Sequence, residues 1–315
     1  MKHSWEIIDS GHCSGSAVAR RVLPPEELNL PSTLECGQAF RWRRAEAGEW
    51  APGPVSETYQ GIVRGRVLLL GRSDDWIFCR MFPGPFDTGM IDDYLDLGVS
   101  LPAVRAAIDV DEHINAALLM FPGLRMLQQE PWECLIAFIL SQWSNVPRIA
   151  GQIEALSKAY GTEIGAGAFA FPGPEQLARA TFDELRSLGL GYRVDYVQRA
   201  ARKCAEQGTG WLEDLAHLDY RDARDRIVKP LTALRPSEKV HGVGPKVADC
   251  VLLFSLRHYE AIPVDVHVRR AMERWYGPQM GGATRYDAIA DFGRAHFGRF
   301  AGYAQQYLFH RQRTG

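Results

Sequence analysis

The chain has 315 residues, 46% of them hydrophobic and 23% charged, with 36 Lys and Arg against 38 Asp and Glu for a formal net charge of −2. That length is enough for roughly one to three domains with real cores, and no apolar run approaches the roughly 20 residues that a membrane-spanning helix needs. A charge so close to neutral does not advertise a nucleic-acid binder.

The N-terminal stretch MKHSWEIIDS lacks the apolar segment of a secretory signal, so secretion is not expected. The six cysteines (Cys13, Cys36, Cys79, Cys134, Cys204 and Cys250) are scattered, with no C-x-x-C pair. That spacing argues against a zinc knuckle or a disulfide framework and fits a reducing cytosol. Charge is spread almost evenly. Residues 1–110 hold 11 Lys and Arg against 15 Asp and Glu, and the remainder holds 25 against 23. Five cations face one acid between Arg186 and Lys203, which fits a solvated helix face or a track for an anionic partner.

In chain order, the first hundred residues read as strand-rich. Ala39–Arg43 and Thr58–Val63 carry the aromatic and β-branched residues of strands, and Arg64–Gly65 separates the second from Val67–Leu70 as a hairpin. Pro and Gly mark Ala51–Ser56 and Phe82–Phe86 as loops. From about residue 100 the pattern is helical. Pro131 starts an apolar helix through Trp143, and Pro147 sits in the first turn of another ending near Gly161. Further helices are expected over Glu175–Leu188, Asp195–Glu206, Lys246–Leu256, Val266–Tyr276, Tyr286–Phe297 and Gly302–Gln312. The fold class is α+β, with a small antiparallel β-rich N-terminal domain over 1–110 and a mainly α-helical domain over 111–315.

The chemistry concentrates in Val240–His267. Gly242-Val243-Gly244 precedes a helix opened by Pro245. Two glycines before a helix N-terminus present backbone N–H groups to an anion, although the same pattern also serves as a plain helix start. Lys246 falls in the first turn, where the helix dipole disfavours a cation. That placement suits an amine that must shed its proton to act as a nucleophile, or a lysine that contacts a phosphate. Asp265 precedes the helix Val266–Tyr276 and reads as an N-cap, whose carboxylate can also stabilise a neighbouring cationic transition state. Cys250, one turn after Lys246, shares its helix face, and read alone it is first of all a small core residue.

These residues resemble the helix-hairpin-helix (HhH-GPD) DNA glycosylase superfamily, and VGPKVADC and IPVDVH are most similar to eukaryotic-type 8-oxoguanine DNA glycosylases. CGQAFRW (Cys36–Trp42), GLGYR (Gly189–Arg193) and AGYAQQYLF (Ala301–Phe309) match the same family in order, so the resemblance runs from about residue 30 to 309. It implies two helical lobes with a DNA cleft between them and a bifunctional glycosylase/AP lyase. Lys246 is then the nucleophile that forms a Schiff base, and Asp265 is its acidic partner. Gly37, Cys250, Gln305, Phe309 and His267 are implied in the base pocket. Gly242 and Gly244 are implied at a phosphate, Tyr192 as a wedge, and Arg148 with Arg193 as readers of the widowed cytosine. Implied partners are double-stranded DNA containing oxidised guanine and no membrane, for a monomer in the cytoplasm near the nucleoid or, in a eukaryote, the nucleus.

The sequence departs from the family at Ser141-Gln142-Trp143-Ser144-Asn145. Trp143 falls where an asparagine fills the gap left by the extruded nucleotide, while Asn145 keeps a later family asparagine. Trp143 could stack in the gap, loosening discrimination of the opposite base, or end the helix as a core residue. No cofactor is implied. No cysteine follows Cys250, so the four-cysteine iron–sulfur loop of some relatives is not encoded, and a structural cation at the hairpin stays open. Two rival readings are a glycosylase for alkylated bases, which typically lacks the lysine, and a non-catalytic DNA-binding hairpin module.

Overall fold

Six short strands form one antiparallel sheet within residues 4–9, 17–46, 55–208, 210–232 and 242–314, the residues that this computed structural model of the chain describes. Strands β1 (Glu6–Asp9), β2 (Ala17–Val22), β3 (Arg43–Arg44), β4 (Glu57–Val63), β5 (Arg66–Ser73) and β6 (Trp76–Phe82) lie in the order β1-β2-β6-β5-β4-β3. The β4–β5 hairpin turns at Arg64 and Gly65, both with positive φ (48° and 73°), the backbone that matches a tight turn to twisted strands. Ile77, Cys79 and Met81 alternate along β6 into the core beneath the sheet.

The strand expected over Ala39–Arg43 is not formed; only Arg43 joins the sheet, in the two-residue β3. The fully buried Gln38 explains the difference. Its amide donates to the Thr33 and Arg125 carbonyls at 2.8 Å each and accepts from Leu127 N at 2.9 Å, so a side chain organises this backbone instead of a ladder. Of the expected loop Ala51–Ser56, residues 51–54 lie outside the described residues, as do Val240 and His241 of the hairpin segment.

Four early helices, α1 (Leu30–Leu34), α2 (Thr88–Tyr94), α3 (Leu101–Ile108) and α4 (Glu112–Met120), start at Asn29, Asp87, Ser100 and Asp111. Each of these side chains accepts a backbone N–H of the first turn. Helix α5 (Pro131–Leu140) is buried along its whole length and capped by Glu130. It stops three residues short of the expected Trp143, because Trp143 sits at φ 50° and cannot continue a right-handed helix. Helix α6 (Val146–Tyr160) restarts the chain behind Asn145 and leads to a small ribbon, β7 (Glu163–Gly165) and β8 (Ala168–Phe169).

The single helix expected over Glu175–Leu188 is two, α7 (Pro174–Arg179) and α8 (Phe182–Ser187). Thr181 and Glu184 form a reciprocal capping box that opens a fresh helix after extended Ala180. The rest follow as α9 (Val194–Gln207), α10 (Gly210–Glu213), α11 (Tyr220–Thr232), α12 (Pro245–Ser255), α13 (Val266–Tyr276), α14 (Tyr286–Phe297) and α15 (Ala301–Thr314).

One hydrophobic core lies under the sheet, from Trp5 to Leu95 with Leu127. A larger one joins Phe40 to helical residues from Leu101 to Leu308. Residues 124–130 form the seam. There Arg125, 2% exposed, donates to the carbonyls of Glu27, Asp96 and Val99, and Gln129 N donates to Phe254 O at 2.8 Å. A buried guanidinium that donates to three carbonyls from separate segments ties them together at this seam.

Candidate active site

Helix α12 starts at Gly244 with no side-chain cap; Pro245 has no N–H and Val247 N donates to Gly244 O at 3.1 Å, so Lys246 N is the first-turn donor left available to a ligand. The two glycines before it serve different ends. A Cβ on Gly242 would lie 2.9 Å from the Tyr196 ring, so that position is glycine for close packing, whereas Gly244 faces open space. The Gly242 carbonyl accepts the Gln142 amide at 2.8 Å. Of the carbonyls near the turn that could hold a cation, this one is therefore already used by a donor. No group of three or more His, Cys, Asp or Glu is placed to hold a metal among the described residues.

Lys246 lies half-buried in the first turn of α12. Its Nζ donates to Ser141 Oγ at 3.1 Å and stands 4.8 Å from the centre of the Phe138 ring. Cys250, 2% exposed, sits one turn further along α12, and burial pushes its thiol up to about 12 while nearby Lys246 pulls it down and Asp265 pushes it up. The thiol is therefore a neutral, polarisable wall between the two charged groups. Asp265 caps α13, with Oδ1 accepting from His267 N at 2.9 Å and Val268 N at 2.8 Å. No ion pair joins Lys246 to Asp265 among the described residues.

Three of the expected pocket residues, His267, Phe309 and Gly37, are linked by contacts. The His267 ring meets Phe309 edge-on, with centroids 5.7 Å apart and planes at 89°. Phe309 in turn lines Gly37, whose φ is 85° and where a Cβ would come 3.6 Å from the ring. Gln305, on α15 one turn before Phe309, is 4% exposed, and its buried Oε1 has no hydrogen-bond partner. An unpaired buried amide oxygen is costly, and a bound donor would satisfy it. Sequence reasoning missed Arg313, whose guanidinium lies 5.3 Å over Phe309 and donates to Cys36 O at 3.4 Å.

The remaining expected residues surround the turn between α5 and α6. Trp143 is 94% exposed, which removes the core reading. Tyr192 is half exposed and donates to Gln142 O at 3.1 Å. Arg193 is 2% exposed, and its guanidinium donates to the carbonyls of Gln142 and Trp143. Arg148 is exposed at the start of α6, and Asn145 Oδ1 caps that helix through Arg148 N at 3.0 Å. Ser141 and Gln142 were also missed. Their partners, Lys246 and Gly242, lie 105 and 100 residues away, beyond any local signal.

Two family models divide the chain between them. The 8-oxoguanine DNA glycosylase N-terminal domain matches residues 21–135, and the HhH-GPD superfamily base excision DNA repair protein matches residues 136–285. The N-glycosylase/DNA lyase OGG1 of Arabidopsis thaliana is 30% identical over 300 residues, covering 90% of this chain and 77% of that protein. The chain belongs to the HhH-GPD superfamily of DNA glycosylases, in its 8-oxoguanine-glycosylase-like branch.

The similarity of this glycosylase is not confined to eukaryotic proteins. A probable N-glycosylase/DNA lyase of the archaeon Methanothermobacter thermautotrophicus is 34% identical over 229 residues, 65% of this chain and 69% of that one. Among solved structures, the Clostridium acetobutylicum 8-oxoguanine glycosylase/lyase, bound to double-stranded DNA with cytosine opposite 8-oxoguanine, superposes with a TM-score of 0.80. It is 27% identical and covers 98% of each chain.

The glycosylase also carries a buried network behind its lysine. Asp249, fully buried on α12, accepts from Tyr220 OH at 2.7 Å and Tyr286 OH at 2.6 Å, with Arg224 Nε at 3.3 Å. Burial pushes this carboxyl up to about 6 although Arg224 pulls it down. Tyr220 lies on α11 and Tyr286 on α14, so one carboxyl ties three helices together.

Proposed function

We propose that this protein excises 8-oxoguanine from duplex DNA as a bifunctional glycosylase/AP lyase. The observation that carries the reading is Lys246, an amine at the start of α12 beside Ser141 Oγ and the neutral Cys250 thiol, with the Asp265 carboxylate at the cap of α13 close enough to raise that thiol's pKa. A base stacked in a duplex is out of reach of any such amine, so the nucleotide must be extruded. Lys246, once deprotonated, attacks C1′ as the bond from C1′ to the base nitrogen breaks, and the base leaves with a proton. Asp265 stabilises the positive charge that develops on the sugar. Ring opening gives a Schiff base on Nζ. Loss of a C2′ proton then expels the 3′ phosphate, and water releases the enzyme.

Gly37 offers a backbone carbonyl beside Phe309, suited to the ring N–H that oxidised guanine has and guanine lacks. Gln305 brings an unpaired amide oxygen, and Phe309 with Cys250 supplies the two stacking walls. The uncapped N-terminus of α12 suits a phosphate, so a backbone N–H shares work that a strongly basic surface would otherwise do. The test is borohydride trapping with duplex DNA holding 8-oxoguanine opposite cytosine. Wild-type protein becomes covalently linked, and Lys246→Gln binds the lesion without linkage. Persistent trapping by Lys246→Gln overturns the assignment of the nucleophile, and efficient trapping only on other damaged bases overturns the substrate.

A further inference from the structure

Trp143 combines two features that nothing in the free protein repays. Its indole is 94% exposed, and its backbone holds φ at 50°, a conformation unfavourable for any residue with a bulky side chain. Neighbouring groups impose this arrangement. The buried Arg193 guanidinium donates through Nε to Gln142 O at 2.9 Å and through Nη2 to Gln142 O and to Trp143 O, the latter at 3.1 Å. Tyr192 OH adds a third donor on Gln142 O, and the Arg193 guanidinium lies 4.6 Å over the Tyr192 ring. On the other side the Gln142 amide is pinned to Gly242 O. The turn is thus clamped from both flanks, and the aromatic ring is what it presents to solvent.

A rigidly held, protruding apolar ring beside a helix N-terminus suited to phosphate is the arrangement with which proteins enter a base stack. We propose that Trp143 inserts into the duplex beside the extruded nucleotide, that Arg193 is its positioning residue, and that the base opposite the lesion is read chiefly by stacking. The inference rests on the reading of this protein as a base-flipping glycosylase. Stacking accepts any base because every base has a π-face, whereas a guanidinium pair selects acceptors. Here one guanidinium of the expected pair is consumed on backbone carbonyls, which leaves Arg148 exposed at the rim.

The experiment uses duplexes with tetrahydrofuran, a stable abasic-site analogue, opposite 2-aminopurine, whose fluorescence reports stacking. Binding of wild-type protein quenches the probe, Trp143→Ala leaves it bright with about tenfold weaker binding, and Trp143→Phe restores part of the quench. Arg193→Ala weakens the quench while the indole remains, as a positioning role requires. In a second arm, wild-type affinities for tetrahydrofuran opposite A, C, G and T fall within about threefold of one another. Equal quenching and affinity in Trp143→Ala overturns the insertion and assigns the indole to some other contact, such as a protein partner. A cytosine preference above about tenfold overturns readout by stacking. Because tetrahydrofuran undergoes no excision, failure of the base-removal chemistry appears in the borohydride assay alone and is distinguishable from failure of the insertion.

Discussion

The Tyr286 hydroxyl donates to Asp249 Oδ2 at 2.6 Å and also reaches Ile262 O at 3.2 Å, while Val264 N donates to it at 3.4 Å. One phenol therefore joins the helix of Lys246 to the segment leading directly into Asp265. Removing its oxygen in Tyr286→Phe leaves Asp249 short of one donor, at a cost of about 1–3 kcal/mol. Turnover is expected to fall about tenfold with KM nearly unchanged, because the two reacting groups lose their mutual setting rather than their contact with DNA. Single-turnover kinetics with a circular-dichroism melt check both; an unchanged rate constant would show that the phenol only supports the fold.

The Asp249 carboxyl makes stability depend on pH in a defined direction. Its folded-state pKa is raised from 3.8 to about 6, so its contribution is fully present below 3.8 and lost as pH rises through about 6. The lost part is of the order of 3 kcal/mol. Asp249→Asn cannot ionise, so the stability difference between wild type and variant shifts against the wild type from pH 4 to 7 and is flat above. Urea midpoints across that range test this, and a constant difference would rule out titration of Asp249 in the window.

Ser141 gives Lys246 a hydrogen-bond partner that an alanine does not. Ser141→Ala is expected to slow borohydride-trappable adduct formation several-fold while costing about 1 kcal/mol of stability. Trapping rates unaffected across pH 6 to 9 would show that the hydroxyl does nothing for the amine.

Gly37 cannot take a side chain without strain. At φ 85° any Cβ is disfavoured, and here it would also lie 2.8 Å from Arg313 Nη1 and 3.6 Å from the Phe309 ring. Gly37→Ala is expected to lose about 1 kcal/mol of stability and more than about tenfold in excision rate. Affinity for an abasic-site duplex, which places no base in the pocket, should stay within about twofold of wild type, and a parallel loss there would move Gly37 out of the base pocket.

What could be read without a structure was local. The Arg64–Gly65 turn was legible because its chemistry lies within two residues, and the Thr181–Glu184 box that splits α7 from α8 was equally present in the sequence. Strand β6 escaped notice although Asp74–Asp75 joins it to β5 as a hairpin, since Asp-Asp is not one of the Asn-Gly or Asp-Gly pairs that mark such a turn, and its other partner, β2, lies some 60 residues earlier, as in Ala17↔Met81. Lys246 and Asp265 stood out because each sits at a helix terminus where charge has a sign preference. Whether Trp143 faced water or core depended on Arg193, which no pattern around the tryptophan reveals.

Burial of the cysteines has a bearing on endurance. Cys36, Cys79, Cys134, Cys204 and Cys250 are all free and buried, and burial raises the pKa of each. Cys250 and Cys204 reach about 12, which leaves roughly one molecule in 100,000 as thiolate at neutral pH. Peroxides attack the thiolate, not the thiol. The five described thiols are therefore held in the protonated form, which such reagents attack slowly.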